Sequence, residues 1–373
     1  MQNAAPSSGS KIKKFAGAAP SAAKLSRGTR RPARSAAARC STAKKKPVIT
    51  ANPLESFESY DFYCSHFTDL DLWRPNVIET CTRHFQIQGN VRTGIPGTYP
   101  TFIVDDQYVV KFFGLLFEGH QAFETEREAN RLLERYPSIP VPKVLASGTL
   151  LDSPPYWPYL IFTYLPGFSI AEVEERLSVE EKLFTASELG KSIRILHSIP
   201  LPVSGHFQAS ISSFRDLLFK LASNCCLNHR SWNSLPDKLV EEIDGYLLPV
   251  EKLIDPVSNP HLIHADLTLD HLLGRFETNS WVPLGIIDWG DAMIGNILYE
   301  LVALHLDLFK GDKHLLEVFL EAYKLPSFYQ EAFAQKAMTM TLLHRFDVLA
   351  APWLSYVSEA RSLDDLADQL WGI

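Results

Sequence analysis

Two short polar segments carry the residue types best suited to chemistry. The first is His264-Ala265-Asp266, followed by His271 five residues after the aspartate, and the second contains Asp288 at the end of an apolar run. One carboxylate can orient a hydroxyl group while two further side chains hold a divalent cation, and phosphoryl transfer needs these parts. A His-x-Asp segment alone is usually only a capped turn. A His-x-Asp segment that is followed by a second aspartate segment, with apolar strands beside both, favours a phosphoryl-transfer site.

The same two segments resemble the signature of a known family. His264 to Leu273 reads HADLTLDHLL and Gly285 to Ala292 reads GIIDWGDA, which is similar to the H-G-D-x-x-x-x-N and I-D-W motifs of the aminoglycoside phosphotransferases. The resemblance covers roughly residues 85–371. It implies that the protein is a kinase that uses ATP and Mg²⁺ to phosphorylate a hydroxyl group of a small molecule, which would be aminoglycoside-like, an amino sugar, an amino alcohol or similar.

The resemblance assigns a role to each polar residue of the two segments. It implies that Asp266 is the catalytic base or hydroxyl-orienting carboxylate, that Asp288 is the principal Mg²⁺ ligand, and that His264 holds the loop against the Asp288 segment. His271 stands where the family usually has asparagine as the second metal ligand. An imidazole is a poorer Mg²⁺ ligand than an oxygen donor, so we expect an altered metal site, with Asp270 as an alternative oxygen donor.

A lysine and a glutamate upstream complete the expected site. Lys111 lies within the apolar segment Val109 to Phe113, towards the end of a predicted strand. A charged side chain is costly there unless it is paired. Glu128 on the following predicted helix is the expected partner, with Glu124 and Glu126 as alternatives. By the resemblance, Lys111 contacts the phosphates of ATP and Glu128 positions it. A plain surface lysine is the other interpretation.

Two loops are predicted to contact the nucleotide. The segment from Gly94 to Tyr99 resembles the family's phosphate-covering loop, with Gly94, Gly97 and Thr98 as contacts, because glycines let backbone amides approach an anion. It has no Walker spacing, and a turn without a ligand would look the same. Phe162 to Gly167 resembles the hinge, and by its position the backbone of Thr163 and Leu165 would bind adenine.

The elements that position these residues differ between the two halves of the chain. Residues 85–165 contain strand-like runs rich in β-branched and aromatic residues, together with one predicted helix. The predicted strands are Phe85 to Val91, Thr101 to Val104, Tyr108 to Phe113, Val141 to Leu150 and Tyr159 to Leu165, with a turn at Asp105-Asp106; the helix is Gln121 to Tyr136. This order predicts a small antiparallel sheet with one helix.

After Pro166-Gly167 the pattern becomes mainly helical. Ser178 and Glu181 form a predicted capping box at the start of an amphipathic helix. Further helices are predicted for Phe214 to Ala222, Asp237 to Leu253, Leu298 to Phe309, Lys313 to Tyr323, Tyr329 to Leu349 and Leu363 to Trp371. The sequence therefore predicts an α+β, protein-kinase-like two-lobed fold, with a small N-terminal antiparallel sheet and one helix, and a larger, mainly helical C-terminal lobe.

Charge divides the 373 residues into a basic tail and an acidic body. Twelve of the 36 Lys and Arg residues lie within residues 1–50, which contain none of the 43 Asp and Glu residues, so the remainder carries a net charge of −19. An acidic body argues against nucleic-acid binding by the folded part, and we expect a neutral or cationic small-molecule partner. No apolar run is long enough to span a bilayer, so no membrane partner is expected.

The tail has the composition of a disordered segment, because it is rich in Ala, Ser, Pro and Arg and shows no apolar periodicity. It also matches a transit peptide, and a basic arm that contacts anionic surfaces is the alternative. Five cysteines without a C-x-x-C pair indicate a reducing compartment. We therefore expect a cytoplasmic protein, or an organellar one (mitochondrion or plastid) if the tail is a transit peptide.

Three regions follow from these patterns: a basic tail (residues 1–54), an N-terminal nucleotide-binding lobe (55–165) and a C-terminal catalytic and substrate lobe (166–373). Acidic residues of the last lobe are candidates for binding an amine-bearing substrate, although solvated helix faces would also explain them: Asp291, Asp307, Asp347 and Glu359. Glu300 matches an acidic family position, and a carboxylate at a helix start is the alternative. The competing hypothesis is a nucleotide-binding pseudokinase or scaffold without turnover, because of His271 and the unusual glycine loop.

Overall fold

The computed structural model describes residues 53–151, 156–257, 260–278 and 280–373. The basic segment of residues 1–50 lies outside these residues, so the predictions of disorder and targeting stay predictions. Two large groups of buried apolar side chains, one in each lobe, form the cores. No helix in the described part of the chain is long and apolar enough to cross a membrane.

The N-terminal lobe is built on an antiparallel sheet of five strands in the order β1-β2-β3-β5-β4. Its elements are α1 (Tyr60–His66), α2 (Leu70–Thr82), β1 (Val91–Thr93), β2 (Thr101–Val104), β3 (Tyr108–Phe112), α3 (Gly119–Leu133), β4 (Val144–Thr149) and β5 (Pro158–Thr163). The β2–β3 hairpin lies where the sequence predicts it. Asp105 and Asp106 form its turn with positive φ angles of 53° and 51°, a conformation that aspartate tolerates better than most residues.

The first predicted strand, Phe85 to Val91, is wrong except for its last residue. Residues 85–90 are not in a strand, and the sheet begins at Val91. The backbone N–H groups of Gln88 and Asn90 donate to the Asp105 carboxylate, at 2.6 and 2.8 Å, instead of to a neighbouring strand. A side-chain acceptor thus takes the place of the backbone hydrogen bonds of a strand. Strand propensity does not indicate such a contact.

Two helices that the sequence analysis did not predict cover one face of the sheet. Trp73 of α2 is fully buried and stacks on Phe112 of β3 with ring centroids 5.0 Å apart. Asp69 caps α2 by accepting from the N–H groups of Asp71 and Leu72, at 3.1 and 3.3 Å. The Asp69 cap is a sequence signal that would have indicated this helix.

The C-terminal lobe is mainly helical and carries two small sheets, β6-β8-β9 and β10-β7. Its strands are β6 (Phe168–Ser169), β7 (His261–Ile263), β8 (Leu272–Glu277), β9 (Ser280–Ile286) and β10 (Met293–Gly295). Its helices are α4 (Ile170–Val173), α5 (Val179–Leu196), α6 (Ser212–Trp232), α7 (Asp237–Tyr246), α8 (Ile297–Ala303), α9 (Lys313–Tyr323), α10 (Ser327–Gln330), α11 (Phe333–Leu342) and α12 (Leu363–Trp371). The capping box is confirmed, because Ser178 and Glu181 each accept the other's backbone N–H, at 3.2 and 2.9 Å.

The single long helix predicted for Tyr329 to Leu349 is wrong. Ala332 has a left-handed φ of 51° and separates α10 from α11. After Leu342 the chain leaves the helix, and Arg345 donates to the carboxylate of Asp291, 2.6 Å away. Because Asp291 follows Asp288 by three residues, this ion pair draws the chain beside the segment that carries the chemistry.

Buried histidines make the fold sensitive to acid. Burial is the largest cause that lowers the pKa of His264, His305 and His344, each to about 4. Their native-state pKa values lie below the unfolded value of about 6.5. The folded state therefore binds fewer protons, and stability is complete above pH 6.5 and is lost as the pH falls towards 4.

We predict that each such histidine lowers the free energy of unfolding by about 1.4 kcal/mol per pH unit between pH 6.5 and 5. Buried carboxylates with raised pKa values act in the opposite direction, so the contribution of a histidine is measured as the difference between a variant and the parent protein. Urea denaturation at pH 7.5, 6 and 5 measures this slope. His305→Gln removes one titrating group and should reduce the slope, whereas His314→Gln, on the exposed face of α9, should leave it unchanged. The same pH dependence in the parent protein and in His305→Gln would contradict the prediction.

Candidate active site

A buried lysine joins the two lobes at the centre of the site. Lys111 lies on β3, and its Nζ donates to Glu126 Oε2 on α3 and to Asp288 Oδ1 just after β9, both at 2.7 Å. Lys111 is 5% exposed and Glu126 is 3% exposed, whereas the side chain of Asp288 remains 21% exposed. The exposed edge of Asp288 therefore faces the space in which a ligand can bind.

The two carboxylates keep the lysine charged. Burial alone would lower the pKa of Lys111, but the charges of Asp288 and Glu126 outweigh it, and the pKa is raised. Burial, with a further contribution from Asp288, raises the pKa of Glu126 despite the opposing charge of Lys111. The result is an ammonium group fixed in a dry environment, where its field on a bound anion is strong.

The prediction that Glu128 pairs with Lys111 is wrong, because Glu126 makes this contact. Glu128 accepts instead from Arg127 at 2.9 Å and from Arg131 at 3.2 Å. Two residues along an α-helix rotate a side chain by about 200°, so only one of these glutamates can face the sheet. The apolar residues of α3 did not fix the rotation of the helix closely enough to select Glu126 from the sequence.

His264 holds the loop of residues 264–271, the predicted catalytic loop, against the Asp288 segment, as the sequence analysis predicted. Its Nε2 donates to the carbonyl of Ile287 at 3.0 Å, and its Nδ1 accepts from the N–H of Asp266 at 3.3 Å. The low pKa of the buried ring keeps it neutral, which this pair of roles requires. Ala265, at the family's usual glycine position, has φ 65°, a conformation in which glycine would be unstrained.

A fully buried carboxylate and a half-buried one hold the backbone of the same loop. The N–H of Ala265 donates to Glu300 Oε2 at 3.0 Å, and the N–H of Leu269 donates to Asp307 Oδ1 at 2.9 Å. Glu300 thus contacts the loop and does not cap its own helix, because Asn296 caps α8 by accepting from Tyr299. Burial raises the pKa of Glu300 to about 7 and that of Asp307 to about 6.

His271 and Asp288 form a pair that fits one side of a metal site. His271 Nδ1 donates to the carbonyl of Asp266 at 2.6 Å, which directs Nε2 towards Asp288 Oδ2, 3.5 Å away. Metal-binding histidines usually have this second hydrogen bond to a carbonyl. Among the described residues, no group of three or more His, Cys, Asp or Glu side chains is arranged to bind a metal. Mg²⁺ in nucleotide sites is often held by only one or two protein ligands together with phosphates, so the pair fits that use.

A cleft opens above this pair, between the lobes. Ile103 and Val109 of the N-terminal sheet line one side, and Leu273 and Ile287 line the other. These apolar walls suit a flat aromatic ring. Lys111 and Asp288 lie at the polar end of the same cleft.

The glycine loop lies at the rim of the cleft, although not every predicted contact does. Gly94 lines the cleft, and a Cβ at Gly97 would lie 3.7 Å from Asp288 Oδ2. Thr98 is 9% exposed and does not line the cleft. Its carbonyl accepts from the hydroxyl of Tyr63 on α1 at 2.6 Å, so Thr98 anchors the loop from behind.

The predicted hinge residues Thr163 and Leu165 both line the cleft. The backbone N–H groups of this segment are not equally available to a ligand. The N–H of Thr163 donates to the carbonyl of Lys143 at 3.0 Å, and its hydroxyl accepts from the Lys143 N–H at 2.9 Å. The N–H of Tyr164 donates to Gln107 at 2.9 Å. Sheet hydrogen bonds therefore use these two N–H groups, and Leu165 is the better candidate for a base contact.

The comparisons with known proteins agree with this arrangement. A family model described as the phosphotransferase enzyme family (APH) matches residues 97–334. The chain belongs to this phosphotransferase family, and its fold is the α+β, protein-kinase-like two-lobed fold that the sequence predicts.

Two solved structures show the shared fold. One, the GDP and kanamycin complex of APH(2″)-IIIa, has a TM-score of 0.56 at 19% identity, over 73% of this chain and 89% of that chain. The other, the GDP complex of wild-type aminoglycoside 2′-phosphotransferase-IIIa, has a TM-score of 0.54 at 19% identity, over 81% and 98%.

A curated relative, lysine-specific demethylase JMJ21 of Arabidopsis thaliana, is 28% identical over 204 residues. The match covers 46% of this chain and 22% of that relative. The similarity therefore concerns only about a fifth of the relative's length.

We predict that Glu126→Gln and Glu128→Gln differ sharply. Removing the charge of Glu126 weakens a buried hydrogen bond, so the free energy of unfolding should fall by about 1–3 kcal/mol, and ATP should bind more weakly because Lys111 is less firmly held. Glu128 makes only partly exposed ion pairs, so its substitution should stay within about 0.5 kcal/mol. Urea denaturation and calorimetry with Mg-ATP measure both. Equal effects of the two variants would contradict the register of α3.

Proposed function

We propose that the protein is an ATP- and Mg²⁺-dependent phosphotransferase that transfers the γ-phosphate to a hydroxyl group of a small molecule. The observation that carries the proposal is the contact of one buried ammonium group, Lys111, with carboxylates from both lobes, Glu126 and Asp288. A kinase needs this arrangement to hold phosphates and metal together. Membership of the phosphotransferase family supports the same reaction class.

In the proposed mechanism, Asp266 accepts a hydrogen bond from the acceptor hydroxyl and orients it for attack. Lys111 neutralises charge on the transferred phosphate, and Asp288 with His271 would hold Mg²⁺, which supplies further positive charge when bound. Phosphoryl transfer of this kind depends on positioning and electrostatics and requires no covalent intermediate.

The division of labour between the lobes is part of the proposal. Residues 55–165 would bind the nucleotide, with the base between the apolar walls of the cleft and with Gly94 and Gly97 near the phosphates. Residues 166–373 would supply the catalytic loop and the acceptor site. The related structures contain GDP, so GTP should be tested beside ATP as the donor.

The acidic residues first considered for substrate binding are mostly engaged in internal contacts. Asp291 pairs with Arg345, Asp347 accepts from Ser234 at 2.6 Å, and Asp307 accepts from Leu269. Glu359 is exposed. The charge pattern therefore does not single out an amine-bearing acceptor. An ATP-consumption screen should include amino alcohols, sugars, amino acids and sugar acids.

The second candidate function is a nucleotide-binding pseudokinase or scaffold, which the histidine at position 271 favours. The catalytic function is preferred because Lys111, Asp266 and Asp288 are all retained, and a scaffold has no chemical need for all three. Turnover above background with any acceptor in the screen decides for the enzyme. Tight Mg-ATP binding with no acceptor consumed decides for the pseudokinase.

We predict that Asp288→Ala and Asp266→Asn fail in different ways. Asp288→Ala should abolish Mg²⁺-dependent ATP binding, because it removes the proposed metal ligand. Asp266→Asn should retain ATP binding while kcat falls roughly 10²-fold or more, the contribution of a positioned acid–base group. Calorimetry with Mg-ATP and steady-state turnover separate the two. If Asp266→Asn lost ATP affinity to the same extent, its assigned role would be wrong.

The metal preference tests His271. If imidazole ligates the metal, Mn²⁺ should support turnover at least as well as Mg²⁺, because it accepts nitrogen ligands more readily. His271→Asn should remain active and shift the preference towards Mg²⁺. Turnover with each metal, measured over a range of concentrations, gives the answer. An unchanged metal preference in the active variant would exclude His271 as a ligand.

A further inference from the structure

A π-helical turn lies directly beneath the catalytic loop. Residues Leu304–Leu308 continue α8 as a π-helix, in which the N–H of Phe309 donates to the carbonyl of Leu304 at 3.0 Å. Short π-helical turns are rare and often occur at functional sites. This one carries Asp307, whose Oδ1 accepts from the N–H of Leu269 at 2.9 Å.

Leu269 lies in the loop between Asp266 and His271, so its backbone helps to set the positions of both residues. Its N–H donates to Asp307, and its carbonyl accepts from the N–H of Ala171 at 3.1 Å. Both polar groups of this residue are therefore fixed by elements outside the loop. A shift of Leu269 would move the two proposed functional residues on either side of it.

The loop needs the hydrogen bond that Asp307 accepts from Leu269, and it does not need the charge of a carboxylate. Burial raises its pKa to about 6, the Leu269 N–H opposes this rise, and the charge of Asp266 adds to it. A neutral acceptor would bond the same N–H without a charge so close to Asp266. Glu300, seven residues earlier, holds the N–H of Ala265 on the other side of Asp266.

We propose that Asp307 is a positioning residue for phosphoryl transfer, which holds Leu269 so that Asp266 and His271 keep their places beside Asp288. The inference rests on the proposed phosphotransferase function. Asp307 acts through the loop backbone and contacts neither the nucleotide nor the acceptor. It differs in this from the amine-binding role considered for it from the sequence.

The test compares three variants of the full chain. Asp307→Ala removes the acceptor of the Leu269 N–H, whereas Asp307→Asn keeps an oxygen at the same place. Asp312→Ala is the matched control, because Asp312 also accepts from backbone N–H groups, those of His314 and Leu315 at 2.9 and 3.3 Å, but it caps α9 away from the site.

Three quantities are measured: the Kd of Mg-ATP, kcat and KM for the best acceptor from the screen, and amide hydrogen exchange of peptides covering residues 264–273. Asp307→Ala should lower kcat roughly 10- to 100-fold, in line with small misplacements of catalytic groups. The Kd of Mg-ATP should rise much less than kcat falls, because Lys111 and Asp288 do not lie on this loop. Exchange in the loop should accelerate. Asp307→Asn should recover most of kcat, and Asp312→Ala should keep both kcat and slow loop exchange.

Several outcomes would overturn the inference. If Asp307→Asn is as inactive as Asp307→Ala, the charge matters and not the hydrogen bond. If Asp307→Ala raises only the KM of the acceptor, Asp307 binds the substrate. If the parent protein turns over no acceptor, the proposed function fails, and loop exchange still decides whether Asp307 holds the loop. Should Asp307→Ala not fold, the kcat and exchange of Asp307→Asn against Asp312→Ala decide, because loss of either in Asp307→Asn alone contradicts the role.

Discussion

The enclosure of one ammonium group by two carboxylates is the constraint on which the arrangement of the lobes depends. Lys111 has its charge in a site almost without water, and its two partners come from different lobes. An unpaired buried charge is strongly unfavourable. The orientation of α3 on the sheet and the approach of the Asp288 segment must therefore satisfy the same group. This links the fold of the small lobe to the geometry of the cleft.

The predicted catalytic loop is held in a different way, by side chains that accept hydrogen bonds from its backbone N–H groups. His264 bonds the Asp266 N–H, Glu300 the Ala265 N–H and Asp307 the Leu269 N–H. Such contacts fix the main-chain geometry of the loop directly. Ala265 in a left-handed conformation is compatible with this loop because the surrounding hydrogen bonds over-determine its backbone.

Sequence reasoning identified the chemistry better than the packing. Asp266, His271 and Asp288 lie close together, as their spacing on one loop and one strand end predicts, and their catalytic roles stay predictions. Glu126 was only an alternative to Glu128, since helix rotation is set by tertiary contacts of α3. Arg345 was missed altogether: its ion pair with Asp291 joins residues 54 positions apart, and no local pattern reports such a contact. For the same reason the sequence did not indicate the bond between Asp307 and Leu269, which joins residues 38 positions apart.

The hydrogen bond from Tyr63 to the carbonyl of Thr98 has a consequence for nucleotide capture. The glycine loop is attached at its back to α1, an element outside the sheet, and Tyr99 is attached in turn to the carbonyl of Phe117 at 2.6 Å. A free phosphate-covering loop loses conformational entropy when it closes on its ligand. Here much of that entropy is already lost on folding, so in the proposed phosphotransferase the loop would meet the phosphates as a preformed wall whose rigidity depends on α1.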